Sequence, residues 1–133
     1  AKDSMYNPPP IFSIYMVNLV TQWLLHDIGG LRKMAAINSK KAAMLYNVIE
    51  ESDGFYTGQA QSDSRSRMNV TWRISDLELE TIFLEQANAR GMHNLKGHRS
   101  VGGLRASIYN AMPMRGVRTL RDFMNDFLQE YAG

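Results

Sequence analysis

The run Lys96-Gly97-His98-Arg99-Ser100-Val101-Gly102-Gly103-Leu104-Arg105-Ala106-Ser107-Ile108-Tyr109-Asn110-Ala111-Met112 decides how this chain is read. Its second half alternates. Leu104, Ala106 and Ile108 fall on one side of an extended strand, and Arg105, Ser107 and Tyr109 on the other. Arg105 is thus carried near the start of a strand, with its guanidinium directed away from the apolar side. The first half holds Gly97, Gly102 and Gly103, which permit sharp turns and positive φ. A plain strand would send the neighbours His98 and Arg99 to opposite faces, whereas a glycine-flanked turn could present both to one anion. An arginine offers a planar fork that matches a carboxylate or a phosphate. The stretch can therefore serve one strongly charged anion, or two anions on one molecule. Taken alone it fits a second reading as well, with Arg99 and Arg105 as solvated charges and His98 as a turn histidine.

The flanking sequence supplies the frame. Met68, Val70, Trp72 and Ile74 alternate with Asn69, Thr71 and Arg73, which predicts a strand over residues 68–74. Residues 55–57 read as a short strand and 58–66 as a polar loop. Ser75-Asp76-Leu77-Glu78 is a capping-box pattern, so a helix starts there. Its stripe is Leu79, Ile82, Phe83 and Ala87, and Gly91 is its stop. A strand over 92–95 is expected to lead into the glycine run, followed by one over 104–110 that Pro113 breaks. A last helix over 117–131 places Val117, Leu120, Met124, Phe127, Leu128 and Tyr131 on one face.

Towards the N-terminus, Pro8-Pro9-Pro10 suits a helix entry. The helix that follows, over 10–26, is apolar nearly all the way round, which implies burial on most sides. It belongs in an oligomer interface, under a layer of protein not in this sequence, or at the centre of the core. Gly29-Gly30 ends it. A second helix over 31–51 is amphipathic, with a stripe of Leu31, Met34, Ala35, Asn38, Ala42, Leu45, Val48 and Ile49. Arg32, Lys33, Lys40 and Lys41 fall mostly off that stripe and read as a solvated face. The element order predicts an α+β fold, a small and mostly antiparallel sheet with helices packed on it.

Bulk properties narrow the function classes. The length of 133 residues suits one domain able to bury a core. Net charge is only +2 and the basic residues are scattered, which gives little support for a nucleic-acid or membrane surface. With no cysteine there is no disulfide framework and no thiolate chemistry, and an intracellular, cytoplasmic setting is expected. No signal-peptide pattern follows Ala1, and the apolar run over 11–25 is interrupted by Asn18, Thr21 and Gln22, so no membrane span is expected. His26 closes a helix, His93 lies in or before a short strand, and no His/Asp/Glu cluster has metal spacing, so no metal site is expected. No Gly-x-Ser-x-Gly elbow signals a hydrolase.

The segment from Gly97 to Pro113 resembles the signature near the C-terminus of phosphoserine aminotransferases, pyridoxal-phosphate enzymes of the fold-type I class. Asp3-Ser4-Met5-Tyr6-Asn7-Pro8-Pro9-Pro10, Ser64-Arg65-Ser66-Arg67-Met68-Asn69-Val70 and Leu95-Lys96-Gly97 resemble that family too, in the same order, so the likeness covers essentially the whole chain. It implies that residues 1–29 are the tail of the large domain with its connecting helix, and that 30–133 are the C-terminal small domain. It implies that His98 and Arg99 bind the substrate's phosphate and Arg105 its α-carboxylate. Asn7 and position 8 would contact the cofactor phosphate of the neighbouring subunit. Pro8 stands where threonine is usual, and proline has neither a hydroxyl nor an N–H to donate. A second departure is Thr71-Trp72, where the family often has proline and an aromatic.

A pyridoxal enzyme needs a lysine for the Schiff base and a partner for the ring nitrogen. Lys2, Lys33, Lys40, Lys41 and Lys96 are the lysines here, and none matches the family's Schiff-base motif, which lies upstream of this sequence. The resemblance thus implies the C-terminal part of a transaminase acting on phosphoserine and 2-oxoglutarate in serine biosynthesis, with pyridoxine biosynthesis as a further use. It implies pyridoxal 5'-phosphate and a homodimer in the complete enzyme. The isolated chain is expected to be inactive and to self-associate. The rival class is a non-catalytic basic interaction or nucleic-acid-binding module using Arg65, Arg67, Arg99 and Arg105. It would require exposed aromatics among those arginines, whereas Phe55, Trp72 and Phe83 sit in apolar stripes.

Overall fold

The computed structural model describes Asp3 and residues 6–132. The chain divides into two compact units, Ala1–Ala36 and Ile37–Gly133.

The first unit contains helix α1, Ile11–His26, and the start of helix α2, Leu31–Glu51. Pro10 occupies the N-cap of α1, where its missing N–H costs nothing. The helix ends on glycines with φ of 86° and 96° at Gly29 and Gly30, and the Gly30 N–H donates to the Leu24 carbonyl at 2.7 Å. No residue of α1 is buried, which removes the central core helix from the three placements and leaves an oligomer interface or a covering layer outside this sequence. Phe12, Ile11, Val17 and Leu25 are each more than 60% exposed, while Trp23 and Leu24 are half-buried.

The second unit is built on a three-stranded antiparallel sheet in the order β1, Tyr56–Gly58; β2, Asn69–Ile74; β3, Leu104–Ser107. The register pairs Val70 with Ala106, Thr71 with Arg105 and Arg73 with Thr57. Period-two alternation gives the sheet two unlike faces. Tyr56, Val70, Trp72, Ile74, Leu104 and Ala106 point into the core. Helix α3, Leu77–Ala89, helix α4, Met114–Tyr131, and the later turns of α2 supply the other side of that core. At its centre Phe83 meets Phe123, Phe127 and Trp72 with ring centroids 4.7, 5.0 and 6.1 Å away. Such tilted and edge-on contacts add to the burial of the rings. Tyr56 is also enclosed and donates its hydroxyl proton to the Met124 carbonyl at 2.9 Å. The opposite face carries Thr57, Asn69, Thr71, Arg73, Arg105 and Ser107, all at least partly exposed. The α+β architecture, with residues 68–74 and 104–110 contributing antiparallel neighbours, is as the alternation predicts.

Four local expectations are corrected. Residues 92–95 form no strand, because Gly91 and Asn94 take φ of 79° and 62° and break the extended run. What survives is a single bridge between Lys96 and Leu104 and the Arg105 N–H donating to the Leu95 carbonyl at 2.7 Å. β3 stops at Ser107 rather than Asn110, for a reason that lies in α2. The cap of α3 is Asp76, not Ser75. Its carboxylate accepts from the Glu78 N–H at 2.8 Å, while Glu80 accepts from the Ile74 N–H. And Lys41, expected on a solvated face, is wholly buried.

Candidate functional site

The glycine run closes on itself before β3 begins. The Gly97 N–H donates to the Gly103 carbonyl at 2.7 Å, and the His98 carbonyl accepts from Val101 and Gly102 at 2.9 and 2.7 Å. A Cβ on Gly97 would lie 2.1 Å from the Gly102 carbonyl oxygen, so only glycine fits there. Gly102 and Gly103 take φ of 74° and 70°. From β2 the Arg73 guanidinium reaches across and donates to the Val101 carbonyl. In the sequence Arg73 is marked only by its place on the polar face of the 68–74 strand, beside the loop.

His98 and Arg99 are exposed at the tip of this loop. The His98 ring turns to Ser100, with Nδ1 2.7 Å from the hydroxyl and accepting from the Ser100 N–H at 3.3 Å. In the neutral ring that acceptor role leaves the proton on Nε2, a donor free to meet an anion. Arg99 is exposed beside it. Arg105, two residues past the loop on β3, is half-buried on the polar face, and its Nε is enclosed with no hydrogen-bond partner. A buried guanidinium N–H without an acceptor is costly, and a bound carboxylate would satisfy it. Arg105 and Ser107 also line a cavity of about 470 Å³, floored by Leu95, Ile108, Val117 and Leu120. The Ser107 hydroxyl is itself held, donating to Asn69 Oδ1 at 3.0 Å.

His98, Arg99 and Arg105 thus stand on one continuous loop and strand. Asn7 and Pro8 are both exposed and belong to the first unit. Among the described residues no group of three or more His, Cys, Asp or Glu side chains could hold a metal ion, and no helix is long and apolar enough to cross a membrane. Trp72 and Phe83, two of the aromatics that a nucleic-acid surface would need to expose, are fully buried. Arg65 is committed to an ion pair with Glu50 and lies 4.6 Å from the centroid of the Tyr46 ring.

The polar sheet face thus carries an arginine with an unsatisfied Nε, preceded by a glycine loop with a second arginine and a histidine, side chains whose chemistry suits an anion. The sequence model of the class-V aminotransferases matches residues 1–120, and the chain belongs to that family. The relatives it resembles are phosphoserine aminotransferases. That of Desulfosudis oleivorans is 54% identical over 125 residues, 94% of this chain and 34% of that protein. That of Acidithiobacillus ferrooxidans is 49% identical over 131 residues, 98% and 36% respectively. Among solved structures, the phosphoserine aminotransferase of Bacillus circulans subsp. alkalophilus superposes with a TM-score of 0.89 at 49% identity, covering 96% of this chain and 35% of that one. The pyridoxal-phosphate-bound enzyme of Trichomonas vaginalis gives 0.81 at 38% identity, covering 91% and 34%. The chain spans about a third of the length of these relatives.

Proposed function

We propose that this chain is the C-terminal portion of a phosphoserine transaminase, with residues 1–29 the end of the large domain and its connector, and 30–133 the small domain. The complete protein would exchange an amino group between phosphoserine and 2-oxoglutarate, giving 3-phosphohydroxypyruvate and glutamate. This is a step of serine biosynthesis, with pyridoxine biosynthesis as a further use. It would do so in the cytoplasm as a homodimer. The observation that carries the reading is Arg105, a half-buried strand arginine whose Nε lacks an acceptor.

The division of labour follows from what the substrates share. Every substrate of the pair has an α-carboxylate, and Arg105 meets it from a strand, where the fork is fixed. The distal ends differ, being a phosphate in one pair and a carboxylate in the other. Arg99 and the Nε2 proton of His98 meet that end from an exposed loop, which can adjust to either anion. Binding both ends fixes the Cα between them and orients its C–H bond for proton removal. Pyridoxal phosphate, when bound, supplies the electron sink for that carbanion chemistry. Among the described residues, the resemblance offers this group one contact segment, at positions 7 and 8. The exposed Asn7 carboxamide can donate to the cofactor phosphate, and Pro8 cannot. Lys41 is enclosed, Lys33, Lys40 and Lys96 are exposed, and Lys2 lies outside the described residues. The family pattern gives none of the five the cofactor lysine's role, so the isolated chain should show no transamination.

In the complete enzyme, Arg105→Ala should weaken carboxylate binding by about 1.5–3 kcal/mol, the range for hydrogen bonds to charged groups. Arg105→Lys should recover only part of that, because the fork is lost. Steady-state kinetics with phosphoserine and with glutamate check this, and parental constants in both variants would remove Arg105 from the site.

A further inference from the structure

We infer that Lys41 is a positioning residue for Arg105: its buried ammonium gathers the carbonyls of Ile108, Tyr109 and Met112 and so fixes the end of the strand from which the arginine is presented. The inference rests on the role proposed above for Arg105. Lys41 sits on α2, its side chain fully enclosed within the second unit. Its Nζ donates to Ile108 O at 3.1 Å, to Tyr109 O at 2.7 Å and to Met112 O at 3.1 Å. An ammonium has three protons and no acceptor, and here it meets three acceptors. No carboxylate pairs with it among the described residues.

Burying a charge without a counter-charge is expensive, and a methionine or leucine would fill the volume without that cost. Burial also pulls the Lys41 pKa below the ordinary lysine value. What the ammonium supplies and a hydrophobic side chain cannot is a point on which three carbonyls of an irregular segment converge. That segment needs one. β3 is four residues long, and Arg105 is its second. Upstream of the arginine the strand is held on both edges, by β2 and by the Leu95 and Lys96 contacts. Downstream it is held by the Ile108 N–H donating to Met68 O at 2.8 Å, and then the ladder ends. The carbonyls of Ile108 and Tyr109 turn to Lys41 instead of to a strand partner, which is why β3 stops short of Asn110. One turn earlier on α2, Asn38 donates to Asn110 Oδ1 at 2.8 Å and reinforces the same clamp. Lys41 is itself enclosed, so it acts on substrate only through the strand.

Lys41→Met and Lys41→Gln in the complete enzyme separate positioning from mere stability. The expected result for Lys41→Met is a KM for phosphoserine and for glutamate raised about tenfold with kcat within about threefold of the parent. Lys41→Gln, which keeps amide donors, should fall between. In the 133-residue chain itself, the Nε–Hε proton resonance of Arg105 should shift or broaden in Lys41→Met, together with the amides of residues 104–112. The amides of β1 and α3 should hold. A lowered melting temperature with parental KM and an unmoved Arg105 resonance would overturn the inference. So would shifts spread evenly over the unit. If the parent enzyme had no transaminase activity, the proposed function would fail, while the Arg105 resonance would still decide whether Lys41 positions it.

Discussion

Tyr56 and Lys41 are both enclosed in the second unit, and burial moves their pKa values in opposite directions. The cause is common, since a low-dielectric interior disfavours whichever form is charged. For Tyr56 the neutral phenol is favoured and its pKa is raised above the ordinary value near 10. The folded state then holds a proton that the unfolded chain releases first, so stability is intact below pH 10 and falls as pH rises beyond it. Tyr56→Phe should cost about 1 kcal/mol at neutral pH for the lost bond to Met124. It should also flatten the alkaline loss. Denaturant midpoints between pH 7 and 11 measure both, and parallel profiles for the two proteins would refute the assignment. At this scale Arg105 was legible, because alternation of apolar and polar residues fixes which side of a strand a residue takes. Lys41 was not. Its place beside the helical stripe made it look solvated, and only the return of residues 108–112, 67 to 71 positions later, encloses it.

Among the elements, the loop of residues 97–103 is the most exacting. Gly97 is required for closeness rather than for φ, since its missing Cβ is what lets the Gly102 and Gly103 carbonyls approach. Gly97→Ala must open the pairing between Gly97 and Gly103. We expect a loss of about 1–3 kcal/mol, the usual cost of an overpacked contact. Faster hydrogen exchange should appear at the amides of position 97 and of Arg105, while β1 stays protected. A variant with parental urea midpoint and exchange would show that the loop absorbs a methyl. The presence of a glycine turn was readable, as were both long strands and all four helices among the described residues, because periodicity is written locally. The strand expected over 92–95 was not, for the apolar residues Met92 and Leu95 masked the left-handed turn that Asn94 takes. The cap of α3 was displaced by one residue because Ser75 and Asp76 are both good caps, and the choice depends on Ile74 being held in β2.

The whole molecule leaves α1 with nine large apolar side chains exposed by at least 40%, from Ile11 to Leu25. A contiguous surface of that kind marks a contact. The sequence already implied it, since a helix apolar all round needs cover; what it could not settle was whether that cover lay within this chain. Purified alone, the chain should self-associate in a concentration-dependent way through this helix. Sedimentation should show the apparent mass falling towards the monomer on dilution, and in Phe12→Ser/Val17→Ser at every concentration. A monomer at all concentrations in the parent would exclude the association.

The enclosure of Trp72 against Phe83, set beside the half-exposure of Trp23, gives each unit its own chromophore. An indole sealed from water emits at shorter wavelength than one that water can reach. The chain's emission is therefore a sum of two colours, with Trp72 reporting the sheet unit and Trp23 the helix before it. Association through α1 would shift the Trp23 component to the blue and leave Trp72 silent. Melting of the sheet unit would do the reverse, reddening Trp72 alone. With Trp72→Phe to isolate the first signal, light alone tells the two events apart.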